Sequence, residues 1–251
     1  EKTSVEEINK WVEEITEGQI QKYLDNIDPN TLMMLFSVIN MRKEWKTPFE
    51  IKKTMQRDFY LTDGSSEKVP IMSQTKSFKY WNSEDLNSEI LTIPYDGDRL
   101  SLVIFLPQQS KNMTVGDVVK SLSYKTIQGE LEKRVDTERY LYLPKFKVEQ
   151  KLDMKQLLSQ FGLDEIFTSG VGNFSGFTDN KNVILSKVTQ TVTLKVNEGG
   201  TTAAAVSTSN FVFLMSGLPF NVNRPFVYML YDEDNKVPLF LGTIIFPDYE
   251  E

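Results

Sequence analysis

The sequence predicts an α+β fold in which antiparallel β-sheets are accompanied by helices. Three observations support this class: an amphipathic helical segment at the N-terminus, many short apolar or alternating segments separated by tight turns, and a second helical region near the middle. The chain has 251 residues, of which 40% are hydrophobic and 25% charged, as is typical of a globular protein. Because we find no internal repeat and no interior linker, we predict a single domain over residues 1–251.

The N-terminal helix is predicted over residues 4–16. Ser4 and Glu7 have the spacing of a capping box, and Gly18 is a natural helix stop. The helical spacing places five apolar side chains on one face: Val5, Ile8, Trp11, Val12 and Ile15. After the Asp28-Pro29 turn, the segment 31–40 (TLMMLFSVIN) is apolar at alternate and intervening positions, so we predict a strand covered on both faces.

Strand candidates follow at short intervals, with turns such as DGD (96–98) between them. They are DFYLT (58–62), KSFKYWN (76–82), SEILTIPY (88–95), LSLVIFLP (100–107) and RYLYLPKFKVE (139–149). The C-terminal half adds VILSKVTQTVTLKVNE (183–198), FVYMLYD (226–232) and PLFLGTIIF (238–246), the last two joined by DEDNK.

Two further helices are predicted, over 115–122 and 151–163. In the second, Leu152, Leu157, Leu158 and Phe161 share one face, and Gly162 ends the helix. The tryptophans are expected in the core: Trp11, Trp45 and Trp81.

Composition excludes several kinds of chemistry. The chain has no His and no Cys, which removes imidazole bases, Ser-His-Asp and Cys-His nucleophiles, and thiolate or imidazole metal sites. A Ser-Lys dyad or paired carboxylates stay open, but no pair stands out, so we predict no enzyme, no metal and no cofactor. The net charge of −7 disfavours a nucleic-acid partner, and the apolar runs are too short to cross a membrane.

Three short motifs have an ordinary structural interpretation. GVGNFSG (170–176) lacks the spacing of a phosphate-binding loop, and YDEDNK (231–236) lacks the Gly and the last Glu of a calcium loop. We predict a structural loop and a solvated hairpin turn. Lys145 and Lys147 alternate with apolar residues and are predicted to be exposed on one strand face. Two sequons, at Asn112 and Asn173, are glycan acceptors if the protein is secreted.

The stretch NEGGTTAAAVSTSN (197–210) differs from the rest of the chain. It belongs to 25 residues, Gly199 to Asn223, with no helical pattern, and loops of this length inside a compact domain are usually functional. No residue after Glu198 in this stretch is charged, and every residue is small or of modest size. In an extended chain both faces would therefore fit between existing strands, where a charge would cost several kcal/mol. An exposed apolar segment that a chymotrypsin-like protease would recognise follows: Phe211, Phe213, Leu214 and Met215.

These residues resemble the serpin family. VNEGGTTAAAVST (196–208) resembles the serpin hinge, and NRPFVYMLYDEDNKVPLFLGTIIFP (223–247) is similar to the family's C-terminal signature. Further blocks match at FSVINMRKEWKTPFE (36–50), LPKFKVEQKLDMKQLLSQFGLDEIF (143–167) and NFSGFT (173–178). The resemblance implies a serpin fold over residues 1–251 that corresponds to the C-terminal two thirds of the usual domain, without its N-terminal helices and first strands. Residues 199–223 would form the exposed reactive-centre loop.

The resemblance also implies a suicide-substrate inhibitor of serine proteases. The loop is cleaved, the acyl-enzyme is trapped, and the loop inserts into the central sheet. Counting along the family pattern from Glu198 gives the bond Leu214–Met215, with Met215–Ser216 as the alternative. Phe211, Phe213 and Leu214 favour chymotrypsin-like, elastase-like or cathepsin G-like targets. The implied hinge comprises Glu198, Gly200, Thr201, Ala203, Ala204 and Ala205.

Two questions stay open from sequence. Gln190 replaces the His that the family usually has in the region that gates sheet opening. A non-inhibitory serpin, acting as carrier, chaperone or storage protein, is the alternative function. The expected protein is a secreted monomer with no nucleic-acid or membrane partner; an intracellular serpin and a glycosaminoglycan partner remain open.

Overall fold

The structure is a computed structural model that describes residues 2–18, 20–180, 182–200 and 217–249. In chain order these residues form α1 (Lys2–Ile15), β1 (Met33–Met41), β2 (Met55–Tyr60), β3 (Ser66–Ser83), β4 (Ser88–Pro94), β5 (Leu100–Pro107), α2 (Val115–Ser121), α3 (Tyr124–Glu132), β6 (Val135–Pro144), β7 (Phe146–Asp153), α4 (Lys155–Gln160), β8 (Leu185–Val196), β9 (Leu218–Asn221), β10 (Phe226–Asp232) and β11 (Val237–Ile244).

The chain groups into two compact units. The first combines Glu1–Met41 with Val148–Leu194, and the second combines Arg42–Lys147 with Lys195–Glu251. The single domain over 1–251 stays a prediction. No helix among the described residues has the length and apolar character that a membrane span requires.

The first unit contains a three-stranded sheet in the order β1-β8-β7. β1 runs parallel to β8, in continuous register from Met34 opposite Lys187 to Met41 opposite Leu194. α1 and the segment after it bury Val12, Ile20, Tyr23 and Leu24, against which Phe36 and Val38 of β1 pack. The opposite face of β1 is less covered, since Leu35 is 50% exposed. The prediction that β1 is covered on both faces is therefore wrong.

The second unit contains a larger sheet in the order β11-β10-β5-β4-β3-β6-β9, with β2 pairing to β3. All seven residues of β10 are buried between its neighbours β5 and β11. The helices α2 and α3 contribute Val118, Ile127 and Leu131 to a core cluster that also contains Phe105 and Met229. This cluster fixes the centre of the sheet.

Several predicted boundaries change. The predicted strand 139–149 is two strands, because β6 ends at Pro144 and β7 begins at Phe146 in the other sheet. The predicted helix 151–163 is mostly wrong: β7 extends to Asp153, and α4 spans only Lys155–Gln160. Phe161, predicted on its buried face, is 75% exposed. The loop predicted over 199–223 includes β9, which pairs in parallel with β6.

Other local predictions have mixed outcomes. GVGNFSG is a loop of turns and bends, and residues 233–236 form the hairpin turn between β10 and β11, as predicted. Trp45 is buried at 2% exposure and Trp81 packs against the core, but Trp11 is 46% exposed. Val12 belongs to the buried cluster that α1 forms, and Val5 and Ile8 pack against it, so the contact face of α1 is narrower than predicted.

Candidate functional site: the hinge turn

The four residues that follow β8, Asn197–Gly200, form a tight turn that we call the hinge turn. Asn197 and Gly200 exchange backbone hydrogen bonds of 2.9 Å and 3.2 Å. The Asn197 side-chain Oδ1 accepts from the amides of Gly199 and Gly200, at 3.1 Å and 3.2 Å. The turn is therefore closed by its own first residue, which is a common role of Asn in turns.

Gly200 has a backbone conformation that requires glycine. Its φ is +131°, and a Cβ at this position would lie 2.3 Å from the carbonyl oxygen of Lys43 and 2.7 Å from Glu44 Cα. Both contacts are with backbone atoms, so no side-chain movement could relieve them. The sequence motif therefore has a steric reason for Gly at this position.

Three successive carbonyl oxygens of the hinge turn accept hydrogen bonds from one short segment. The Trp45 indole Nε1 donates to Asn197 O at 2.8 Å, the Phe49 amide donates to Glu198 O at 2.8 Å, and the Trp45 amide donates to Gly199 O at 2.9 Å. The Trp45 ring also stacks on Tyr95, with centroids 4.4 Å apart. Buried backbone groups need such partners, so this segment holds the turn in place.

The Glu198 side chain is buried and fully partnered. It is 9% exposed as a residue, its Oε1 accepts from Thr54 Oγ1 at 2.7 Å, and its Oε2 lies 3.3 Å from Lys145 Nζ. A buried carboxylate without a cation would be costly, and removing one partner of such a pair usually destabilises more than the pair stabilises. The hinge Glu is thus anchored through its charge as well as its backbone.

Lys145 and Lys147 are less exposed than the sequence pattern predicts. Both were predicted to be exposed on a strand, but the Lys145 side chain is only 22% exposed and pairs with Glu198. Lys147 is half-buried, and its amide donates to Asp248 O at 2.6 Å. The local alternation was correct, but it could not reveal a partner 53 positions away (145 to 198).

The register of the β1–β8 ladder shows where Gln190 lies, the residue that stands in the predicted gating region. Gln190 lies opposite Ser37 in the register, on the face of the sheet that carries Leu35. The other face of β8 carries a row of buried threonines, Thr189, Thr191 and Thr193. Thr193 Oγ1 donates to Asn40 Oδ1 at 3.1 Å, whereas Thr189 Oγ1 has no partner among the described residues.

The structure brings Glu198 and Gly200 of the predicted hinge together in the hinge turn. The remaining hinge and bond residues lie outside the described residues: Thr201, Ala203, Ala204, Ala205, Phe211, Phe213, Leu214, Met215 and Ser216. Sequence reasoning missed Thr54 and Phe49, and assigned Trp45 only to packing; all three are far from Glu198 along the chain. Among the described residues no group of three or more acidic side chains is arranged to hold a metal ion.

Both predicted glycan acceptors are exposed. Asn112 has φ +50° beside the capping box of α2, where Thr114 Oγ1 accepts from the Asp117 amide at 3.2 Å. The Asn173 Oδ1 accepts from the Ser175 amide at 3.1 Å, within the GVGNFSG loop. Glycosylation at these residues stays a prediction.

Relatives of known sequence resemble this chain over nearly its whole length. The family model described as serpin (serine protease inhibitor) matches residues 1–247. Human Serpin I2 is 33% identical over 257 residues, covering 100% of this chain and 62% of that protein. The leukocyte elastase inhibitor of Xenopus laevis is 32% identical, covering 96% of this chain and 65% of that protein. The chain therefore spans less than two thirds of the length of these relatives.

Solved structures give the same fold. The thermophilic serpin tengpin in its native state has a TM-score of 0.86 at 28% identity, covering 98% of this chain and 64% of that one. Thyroxine-binding globulin in complex with thyroxine has a TM-score of 0.83 at 24% identity, covering 99% and 65%, and this likeness concerns the fold alone. The predictions of family and fold class are confirmed, and the chain belongs to the serpin family.

Proposed function

We propose that this chain is part of an inhibitory serpin whose residues 201–216 act as protease bait, and that after cleavage the part of this segment before the cut inserts beside β8. The observation that carries the proposal is the parallel pairing of β1 with β8, because β8 runs directly into the hinge turn. A segment that reverses direction after β8 runs antiparallel to β8. It therefore also runs antiparallel to β1, which is parallel to β8.

This geometry supplies a driving force for insertion. A strand placed between β1 and β8 would replace one parallel ladder with two antiparallel ladders, and antiparallel pairing is slightly more stable per residue. The inserted strand must be small and uncharged on both faces. Residues 200–209 satisfy this requirement, since they contain only Gly, Thr, Ala, Val and Ser. The resting β1–β8 ladder is then the arrangement before insertion.

The proposed scissile bond is Leu214–Met215. The protease serine hydroxyl would add to the Leu214 carbonyl, the Met215 nitrogen would leave with a proton, and the Leu214 acyl group would stay on the serine as an ester. Insertion before hydrolysis of this ester would trap the enzyme. A chymotrypsin-like, elastase-like or cathepsin G-like target is favoured by Phe213 and Leu214, and one relative carries the name leukocyte elastase inhibitor.

The test uses the full-length protein mixed with chymotrypsin, neutrophil elastase and cathepsin G. An inhibitory serpin gives an SDS-resistant adduct with at least one of them, and N-terminal sequencing of the released fragment begins at Met215. A first residue of Ser216 would select the alternative bond. Cleavage by all three enzymes with no adduct would contradict the proposal.

A matched pair of variants separates insertion from cleavage. Ala203→Arg places a charge where the inserted strand would be buried, so it should keep cleavage but lose the adduct. Ser216→Arg lies beyond the proposed bond, outside the part that inserts, and should retain the adduct if the target enzyme tolerates it. Cleavage should also raise the thermal unfolding temperature of the parent protein but not of Ala203→Arg. No rise in the parent would favour the carrier, chaperone or storage alternative.

We further infer a secreted monomer with glycans at Asn112 and Asn173, supported by the exposure of both side chains. Expression in a mammalian secretory host should give a peptide-N-glycosidase-sensitive mass shift. The shift should fall by one glycan in Asn112→Gln and by one in Asn173→Gln. Secretion without any shift would contradict the glycan assignment, and retention of the full-length protein in the cell would contradict secretion.

A further inference from the structure

The chain that follows the proposed bait is held against β6. β9 begins at Leu218 and pairs in parallel with β6, with Leu218 opposite Arg139. Just before it, the backbone of Gly217 also contacts β6, since a Cβ on Gly217 would lie 3.3 Å from the Glu138 carbonyl oxygen. Met215 comes two positions before Gly217 in the chain, a span of at most about 7 Å. The proposed bond is therefore tethered beside β6.

The two faces of the sheet differ at this place. On one face Leu141 of β6 and Phe220 of β9 lie opposite each other, and both are fully buried. Because side chains alternate along a strand, the other face carries Tyr140 and Tyr142, which are half-buried, and Pro219 of β9, which is exposed. A bound partner can therefore reach only this second face and the free edge of β9, which is the last strand of the sheet among the described residues.

Tyr140, Tyr142 and Arg57 form an ordered cluster on the accessible face, which we call the tyrosine face. The two tyrosine rings have centroids 4.7 Å apart, and the guanidinium carbon of Arg57 in β2 lies 4.1 Å from the centre of the Tyr142 ring. Tyr and Arg are enriched among the residues that dominate binding energy in protein interfaces. Side chains that are already held in one arrangement lose less conformational entropy when a partner binds. The tyrosine face is therefore suited to contact another protein.

A protease seated on the proposed bond is large compared with its distance from the tyrosine face. The path from Met215 to Tyr140, through Gly217 and Glu138, is no longer than about 20 Å. A protease domain of about 200 residues has a radius of gyration of about 16 Å, which corresponds to a diameter of about 40 Å. The distance through space is shorter than the path along the chain. The surface of an enzyme seated on the bond therefore lies within reach of the tyrosine face.

We propose that the tyrosine face is a second docking surface for the serine protease that the bait recognises. The inference rests on the proposed function, because it takes the same enzyme as the partner. An apolar surface loop of the protease would pack on the two rings, and a carboxylate or carbonyl oxygen of the protease would accept a hydrogen bond from the Arg57 guanidinium. These contacts form outside the active-site cleft, so the protease recognises the intact protein faster than it would recognise the bait sequence alone.

The test measures the second-order rate constant for adduct formation between the full-length protein and the protease that it inhibits. Tyr140→Ala should lower this rate constant about tenfold, because a buried interface tyrosine commonly has an effect of this size, and Arg57→Gln should also lower it. The final yield of adduct should not change, since the segment that inserts is unaltered. The matched control is Tyr124→Ala on α3, where Tyr124 is 59% exposed, and it should keep the parent rate constant.

The outcomes separate this docking surface from the bait itself. If the parent forms its adduct and Tyr140→Ala reacts at the parent rate, the docking surface is overturned and the inhibitory function stands. If the parent is cleaved without an adduct, the inhibitory function is contradicted, and the rate constant of loop cleavage then tests docking with the same expected fall. A parent that none of the three enzymes cleaves would contradict both. An equal fall in Tyr124→Ala would overturn the docking surface alone.

Two further measurements distinguish a lost contact from a distorted loop. Tyr140→Phe keeps the ring and should keep most of the parent rate constant. Hydrogen exchange of the β9 amides reports whether the β6–β9 pairing has changed, and it should be the same in Tyr140→Ala and in the parent. Faster exchange of β9 in Tyr140→Ala would assign the slower reaction to a displaced strand and contradict the docking surface.

Discussion

The strand pairs β5–β10 and β1–β8 belong to different units and are built from different residues. All of β10 is buried, and seven of the eight residues of β5 are buried. In β1–β8, by contrast, Leu35 is half exposed and the covered face of β8 carries threonines. The first pair suits a fixed scaffold, since burial of apolar surface dominates stability. The second pair suits the ladder that would separate in the proposed insertion, because less apolar surface holds it together.

The largest expected effect tests this contrast directly. Phe105→Ala in β5 removes a fully buried ring and should lower the free energy of unfolding by about 3 to 5 kcal/mol. Leu35→Ala in β1 removes a half-exposed side chain and should cost about 1 kcal/mol. Urea unfolding at 25 °C measures both. Equal costs would show that the two strand pairs are equally dependent on packing.

The hinge turn should behave as part of the fixed scaffold. Gly200→Ala introduces a Cβ that meets backbone atoms at positive φ, so we expect a loss of about 2 to 4 kcal/mol. Gly129→Ala is the matched control: it lies in α3 with open space around the new Cβ, and should stabilise by about 0.5 to 1 kcal/mol. Thermal unfolding of the two variants measures the difference. If Gly200→Ala left the unfolding temperature unchanged, the hinge turn would resemble the less buried β1–β8 pair rather than the fixed scaffold.

For two buried threonines of β8 we predict smaller changes in the free energy of unfolding, with opposite signs. Thr189→Val removes a buried hydroxyl that has no described partner, so it should stabilise by about 1 kcal/mol. Thr193→Val removes the donor to Asn40 and should destabilise by about 1 kcal/mol. Opposite signs in chemical unfolding would support the account of this ladder. If Thr189→Val also destabilised the protein, the Thr189 hydroxyl would have to contribute to stability in spite of having no described partner.

Lowering the pH should destabilise the β5–β10 strand pair more than the β1–β8 strand pair. Hydrogen bonds from Asn235 and Arg99 lower the pKa of Asp232 to about 2, against its ordinary value of 3.8. Because the folded pKa is depressed, the stability from Asp232 is present above about pH 4 and is lost as pH falls toward 2. Hydrogen exchange of the β10 amides should therefore accelerate across this window. The β8 amides should respond less, since neither β8 nor β1 contains a carboxylate.

The matched control for this pH dependence is Asp232→Asn, which removes the titrating carboxylate. Its β10 exchange rates should change less between pH 4 and pH 2 than those of the parent. An unchanged pH profile in Asp232→Asn would assign the acid sensitivity to other groups. This is the smallest of the four effects, because Arg99 is largely exposed and water screens its charge.

Sequence patterns located elements best where a continuous apolar run ended at turn residues. β5 and β10 have the predicted bounds, since both runs are bounded by polar turns. The pattern failed at Pro144, where apolar alternation continues although the chain passes from one sheet to another. α3 was missed, although the Ser123 cap and the Ile127 and Leu131 spacing are visible in sequence.

Only those features of the hinge turn that depend on neighbouring residues could be predicted from the sequence. The requirement for Gly200 and the small residues after it follow from the sequence motif. The contacts that hold the turn could not be inferred, because Trp45 and Asn197 are separated by 152 positions. Lys145 shows the same limit: its alternation was clear, but its charge partner depends on which strands the fold brings together.

The central place of β10 has a consequence for any cut within residues 201–216. The C-terminal piece would carry β9, β10 and β11, and β10 is buried between β5 and β11. That piece cannot dissociate without opening the large sheet, so the nicked protein should migrate as one particle. The two pieces, produced separately, should recombine by fragment complementation, and either one could then report on the presence of the other.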